Sequence, residues 1–181
     1  GRASHASGGS TPDPEHGRHT NVTARPNILL VITDQQHIDT IRELGQSHIA
    51  TPALDEVVRG GTSFRQSYCA NPLCSPSRAA MFTSRTSSET GVWKNGQKIR
   101  EHMPTMGAHF RAAGYDTTYA GKWHVPRCYP NAIGGFRVLS TGIGHQGTVS
   151  DPLVTDGCVN YLHGRDASKP LLMVASYMQP H

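Results

Sequence analysis

Two apolar runs, NILLVITD at residues 27–34 and PLLMVASY at residues 170–177, constrain the fold more than any other feature of this chain. Each is nearly continuous in aliphatic and β-branched residues, the pattern of a strand buried on both faces rather than of a half-solvated one. Helix signals lie between them. In TPALDEVVRGG, Thr51 reads as a cap, Pro52 as the first helical residue, and Gly60 and Gly61 as the stop. SPSRAAMFTSR and the amphipathic TMGAHFRAAG, closed by Gly114, read as further helices. TSFRQSYC and YDTTYAG read as short strands, and residues 126–150, rich in Gly and Pro, as a long loop. Strands alternating with helices predict an α/β layered fold.

The chain of 181 residues is long enough for one domain with a real core and hardly for two. Residues 1–25 hold one Val and no larger aliphatic or aromatic side chain, so they are expected to form a disordered leader or linker. They also lack the apolar centre of a secretory signal peptide, which leaves the compartment open. No run is long and apolar enough to predict a membrane span. The net charge of +4 comes without a block of like charge, so no nucleic-acid footprint is indicated. The four cysteines Cys69, Cys74, Cys128 and Cys158 form no CxxC pair. Two disulfides are possible in an oxidising compartment, and a zinc set of Cys69, Cys74, His124 and Cys128 matches no standard spacing. Plain thiols are expected for three of them.

The stretch NPLCSPSRAAMFTSR, residues 71–85, concentrates chemistry. With Ser75 as cap and Pro76 as first helical residue, Arg78 falls one turn beyond Cys74 on the same side. The open N–H groups and dipole of the first turn then make an anion-binding cup with a sulfur at its lip. One reading of Cys74 is a small buried hydrophobe, with Arg78 paired elsewhere. Another is a thiolate nucleophile. Thiol phosphatases place five residues between Cys and Arg, against three here, which argues against a phosphate loop of their kind.

A third reading accounts for the whole string. Cys74-Ser75-Pro76-Ser77-Arg78, continuing to Thr83-Ser84-Arg85, resembles the C-x-P-S-R signature of the sulfatase family. GYDTTYAGKWH, residues 114–124, resembles the family's second signature, PNILLVITDQQ its first strand, and SYMQPH a later segment near the substrate. The similarity runs in order through residues 26–181.

The resemblance implies an alkaline-phosphatase-like sheet sandwiched between helices, here the N-terminal part of a catalytic domain, truncated and followed in the family by a second metal pair. It implies that a maturation enzyme oxidises Cys74 to formylglycine, whose hydrate attacks sulfur and then collapses to expel sulfate. Asp34, Gln35 and residue 74 would ligate one divalent cation, Ca²⁺ or Mg²⁺, with Gln35 replacing the Asp of many members. Arg78 would hold the nucleophile and neutralise charge. Lys122 would clamp the sulfate, His124 would assist collapse, and His181 would meet the substrate. Taken singly, each has a plainer reading: Lys122 as a surface charge, His124 as a structural histidine, Asp34 as a cap. The implied activity is hydrolysis of a small-molecule or carbohydrate sulfate ester, with the isolated chain inactive for want of half its coordination sphere. A phosphate or phosphonate ester hydrolase of the same superfamily is one alternative, and a non-catalytic anion- or protein-binding fragment is the other. Members of the family are typically periplasmic, secreted or lysosomal.

Overall fold

A computed structural model describes residues 25–45, 48–125, 133–140 and 147–181. The expected leader, apart from Arg25, and Cys128 lie outside them, as does much of the expected 126–150 loop.

The strands are β1 (Ile28–Asp34), β2 (Asp116–Gly121), β3 (Arg137–Ser140) and β4 (Leu171–Pro180). The helices are α1 (Pro52–Gly60), α2 (Cys74–Thr83), α3 (Ser87–Thr90), α4 (Met106–Ala112) and α5 (Gly147–Gly164). The four strands form one parallel sheet in the order β1-β4-β2-β3. β4 is central, and alternate residues face opposite layers. Leu172 and Val174 join Phe82, Tyr119, Trp123 and Phe136 on the side of α2 and α4. Leu171, Met173 and Ala175 pack with Val154 and Cys158 of α5 on the other. The expected α/β architecture with helices on both faces is therefore present. Burial raises the pKa of the Cys158 thiol within the α5 layer.

Three expectations need correction. Among the described residues β1 lies at the edge of the sheet and its burial alternates, with Leu29 and Val31 exposed, because α5 packs on β2, β3 and β4 rather than over β1. Residues 62–69 form no strand; they run as bends and irregular backbone, and Phe64 and Tyr68 stand in solvent instead of packing on a sheet. The loop expected over 126–150 contains β3, and its last residues open α5. That helix gives little sequence signal, since Pro152 and Gly157 lower its propensity. Val154, Cys158 and Tyr161, spaced four and three apart, are the apolar stripe that betrays it.

Candidate active site

Parallel strands in one sheet deliver their carboxyl ends to the same edge, where α/β proteins bind ligands. β1 ends on Asp34, the segment leaving β2 carries Lys122 and His124, and β4 leads to His181. α2 starts at the same edge. Its first residue is Cys74 itself, with Leu73 as the cap, so the helix begins earlier than Ser75 and Pro76 suggest. Arg78 still lies one turn on.

The Asp34 carboxylate is buried and meets two buried cations. Its Oδ2 accepts from Lys122 Nζ, and its Oδ1 lies 3.6 Å from Arg78 Nη2. Asp34, Arg78 and Lys122 are only 6%, 3% and 8% exposed, so little water screens them. One carboxylate against two cations leaves a surplus positive charge beside Cys74. That cluster is fixed from behind. Arg78 Nη1 donates to the Lys122 carbonyl at 2.7 Å and to Ser176 Oγ at 2.8 Å, while Ser176 Oγ donates to the same carbonyl at 2.8 Å. The Tyr119 hydroxyl also donates to it.

Ligand atoms of Asp34, Cys74 and His181 all lie within 4.8 Å of one another. Cys74 is half-buried and lines a cavity of about 230 Å³ with Asp34, Gln35, Ser77, Arg78 and Met81. The sulfur is thus open to a ligand and not sealed among apolar neighbours. His124 is tied to the same helix start, its carbonyl accepting from Ser75 Oγ at 2.6 Å. Neither Lys122 nor His124 lines that cavity: Lys122 touches its wall through Asp34, and His124 is joined to α2 through Ser75, which lies outside the lining. Gln35 and His124 both adopt left-handed backbone, at φ 59° and 58°. For non-glycine residues that costs on the order of 1 kcal/mol or more and persists where the surroundings dictate it.

The cup expected at the helix start is partly filled, since the Ser75 N–H donates to Asn95 Oδ1 at 3.0 Å. Ser176 and Asn95 escaped the sequence reading. A serine inside the apolar run PLLMVASY was the available signal for the first, because a polar side chain in a buried strand must find partners.

A protein-family model described as Sulfatase matches residues 26–181. The chain belongs to the sulfatase family. It is 31% identical over 176 residues to an N-acetylglucosamine-6-O-sulfatase of Bacteroides thetaiotaomicron, covering 88% of this chain and 31% of that protein. It is 31% identical over 114 residues to a choline-sulfatase of Rhizobium meliloti, covering 63% of this chain and 22% of that one. A protein solved with its substrate D-glucosamine-2-N, 6-O-disulfate superposes with a TM-score of 0.73 at 27% identity, over 87% of this chain and 35% of the other. The phosphonate monoester hydrolase of Agrobacterium radiobacter shares the fold, with a TM-score of 0.74 at 20% identity over 87% and 41% of the two chains. The sulfatase chain described above thus spans about a third of the length of several relatives it matches. No helix among its described residues is long and apolar enough to cross a membrane.

Proposed function

We propose that this chain is the N-terminal part of a catalytic domain that hydrolyses a sulfate ester of a carbohydrate or small alcohol, with Cys74 as the precursor of formylglycine. The observation that carries the reading is the buried Asp34–Arg78–Lys122 cluster. Its surplus positive charge lies beside a half-exposed sulfur at a helix start, which suits attack on a tetrahedral anion.

The donor atoms of Asp34, Cys74 and His181 converge as ligands of a divalent cation would; Lys122 and Arg78 now hold the Asp34 carboxylate, so a cation bound there would have to displace Lys122 from it. Asp34 and Gln35 would hold it, together with an oxygen standing where the Cys74 sulfur now is; His181 offers a further donor. When bound, such a cation supplies Lewis-acid stabilisation of developing negative charge, and formylglycine supplies an oxygen nucleophile. The remaining work falls to this chain's own side chains. Arg78, locked by the Lys122 carbonyl and Ser176, keeps its charge aimed at position 74 without reorganising. Lys122, once displaced from Asp34, adds charge against the ester oxygens. His124 is assigned proton transfer at position 74, and His181, whose ring reaches Asp34 and Cys74, is assigned the substrate side.

The names of the relatives, which include an N-acetylglucosamine-6-O-sulfatase, ulvan-active sulfatases and a choline-sulfatase, support sulfated sugars or small alcohols as the substrate class. Gln35 favours a second reading, a phosphonate or phosphate ester hydrolase. An amide in place of a carboxylate makes the site less negative and more tolerant of a dianion.

Coexpression with a formylglycine-generating enzyme tests the proposal. Conversion of Cys74 lowers the intact mass by about 18 Da, as replacement of SH and H by a carbonyl oxygen requires. Cys74→Ala removes the shift. An unmodified Cys74 under those conditions would defeat the formylglycine reading. Faster turnover of a phosphonate ester than of the matched sulfate ester, by the matured protein extended to family length, would favour the second one.

A further inference from the structure

The register of β4 against β1 changes abruptly beside the site. Ile32 pairs with Ser176, but Asp34 pairs with Pro180, so β4 carries two extra residues across that step. Such a bulge frees backbone groups from the ladder, and buried or half-buried N–H groups must then be satisfied elsewhere. Here both go to one side chain. Asp151 of α5 accepts from Met178 N–H through Oδ1 at 2.8 Å and from Gln179 N–H through Oδ2 at 3.0 Å.

The grip continues towards the site. The carbonyl of Met178 accepts from the His181 N–H at 3.1 Å, so the residue that Asp151 holds on one side holds His181 on the other. His181 in turn reaches Asp34 and Cys74. Close approach of α5 is built in as well: a Cβ at Gly147 would overlap Gln179 Cγ and come within 3.2 Å of Asp151 Oδ2. Thr155, one turn beyond Asp151, meets the Tyr177 hydroxyl at 3.1 Å.

We infer that Asp151 is a positioning residue whose carboxylate shapes the Met178–Gln179 bulge and thereby delivers His181 to the anion site; the role assigned to His181 rests on the function proposed above. Bulges beside active sites commonly re-aim a side chain, and a charged acceptor on two consecutive N–H groups is a strong way to fix one.

The test uses the full chain, ¹⁵N-labelled, in wild-type, Asp151→Ala and Asp151→Asn forms. Amide exchange at Met178 and Gln179 is expected to accelerate by roughly tenfold or more in Asp151→Ala, the loss typical of hydrogen bonds to a charged group. Exchange at Leu172–Ala175 should stay unchanged. Asp151→Asn, which keeps one acceptor oxygen, should fall between and serves if the alanine variant does not fold. Sodium sulfate titrated while the His181 ring signals are followed gives the second readout, with the midpoint expected to rise about tenfold in Asp151→Ala. Unchanged exchange at Met178 and Gln179, or equal acceleration along all of β4, overturns the inference, as does an unchanged sulfate midpoint. A wild-type ring that ignores sulfate counts against the proposed anion site, while the exchange measurement still decides whether Asp151 shapes the bulge.

Discussion

β4 and β1 lie side by side in register from Ile28 opposite Leu172 to Ile32 opposite Ser176, and their sequences are about equally apolar. Their fates differ. Residues 171–176 of β4 are buried without a break, whereas Leu29 and Val31 of β1 are 62% and 53% exposed. Composition alone does not decide burial; the span of the covering helix does. α5 packs over β4, β2 and β3 and leaves one face of β1 open. The site straddles this boundary. Asp34 comes from the open strand, and the cations that hold it come from α2 and the exit of β2, braced by Ser176 of β4.

The sharpest way to break the contrast is to spoil the close approach on the covered side. Gly121 has φ +94°, and a Cβ there would overlap the Ser176 carbonyl oxygen and crowd Val154 of α5. Left-handed strain and a backbone collision act together, with no flexible side chain able to yield. Gly121→Ala is expected to cost more than about 4 kcal/mol, enough to unfold the chain in water. Urea unfolding followed by circular dichroism checks this, and a folded variant with an unchanged midpoint would show that the covered side is loosely packed.

A matched pair measures the contrast directly. Leu172→Ala removes a fully buried side chain and should cost about 3 kcal/mol, transfer and cavity terms combined. Leu29→Ala, one strand away, should stay within about 0.5 kcal/mol because its side chain is already largely in water. Equal losses would mean that β1 is covered in solution by something beyond the described residues.

The same contrast explains what was legible in the sequence. β2, β4, α1, α2 and α4 are visible there because their caps, stops and apolar runs are local. The signatures name Cys74, Arg78, Lys122 and Asp34, and the structure brings these four together. What stays hidden depends on partners distant in the chain. The half-bare face of β1 reflects where α5 stops. The irregular backbone of residues 62–69 carries no local mark that sets it apart from a strand, and the contact of Asp151 with the Met178 and Gln179 N–H groups joins elements far apart in the sequence. α5 escaped for a local reason, since Pro152 and Gly157 blur its helical signal.

The smallest expected effect lies off both sides of the sheet, on α3, whose exposed cap probes local stability alone. Glu89 accepts from the Thr86 N–H and from the Thr86 hydroxyl, both at 2.9 Å, and the Glu89 N–H bonds back to Thr86 Oγ1 at 3.4 Å. The Thr86 backbone bond, then its hydroxyl and then Arg85 hold the Glu89 carboxyl below its ordinary value. A carboxyl depressed by folding stabilises above its unfolded pKa, about 4.3 for glutamate, and that contribution is lost as pH falls through the folded value. Glu89→Gln should therefore lower the melting temperature slightly at pH 7, and the gap from wild type should close in strong acid. A gap that persists unchanged in acid would show that the charge of Glu89 adds nothing to the cap. α3 would then be held by its packing on α2, as the covered side of the sheet is held by α5.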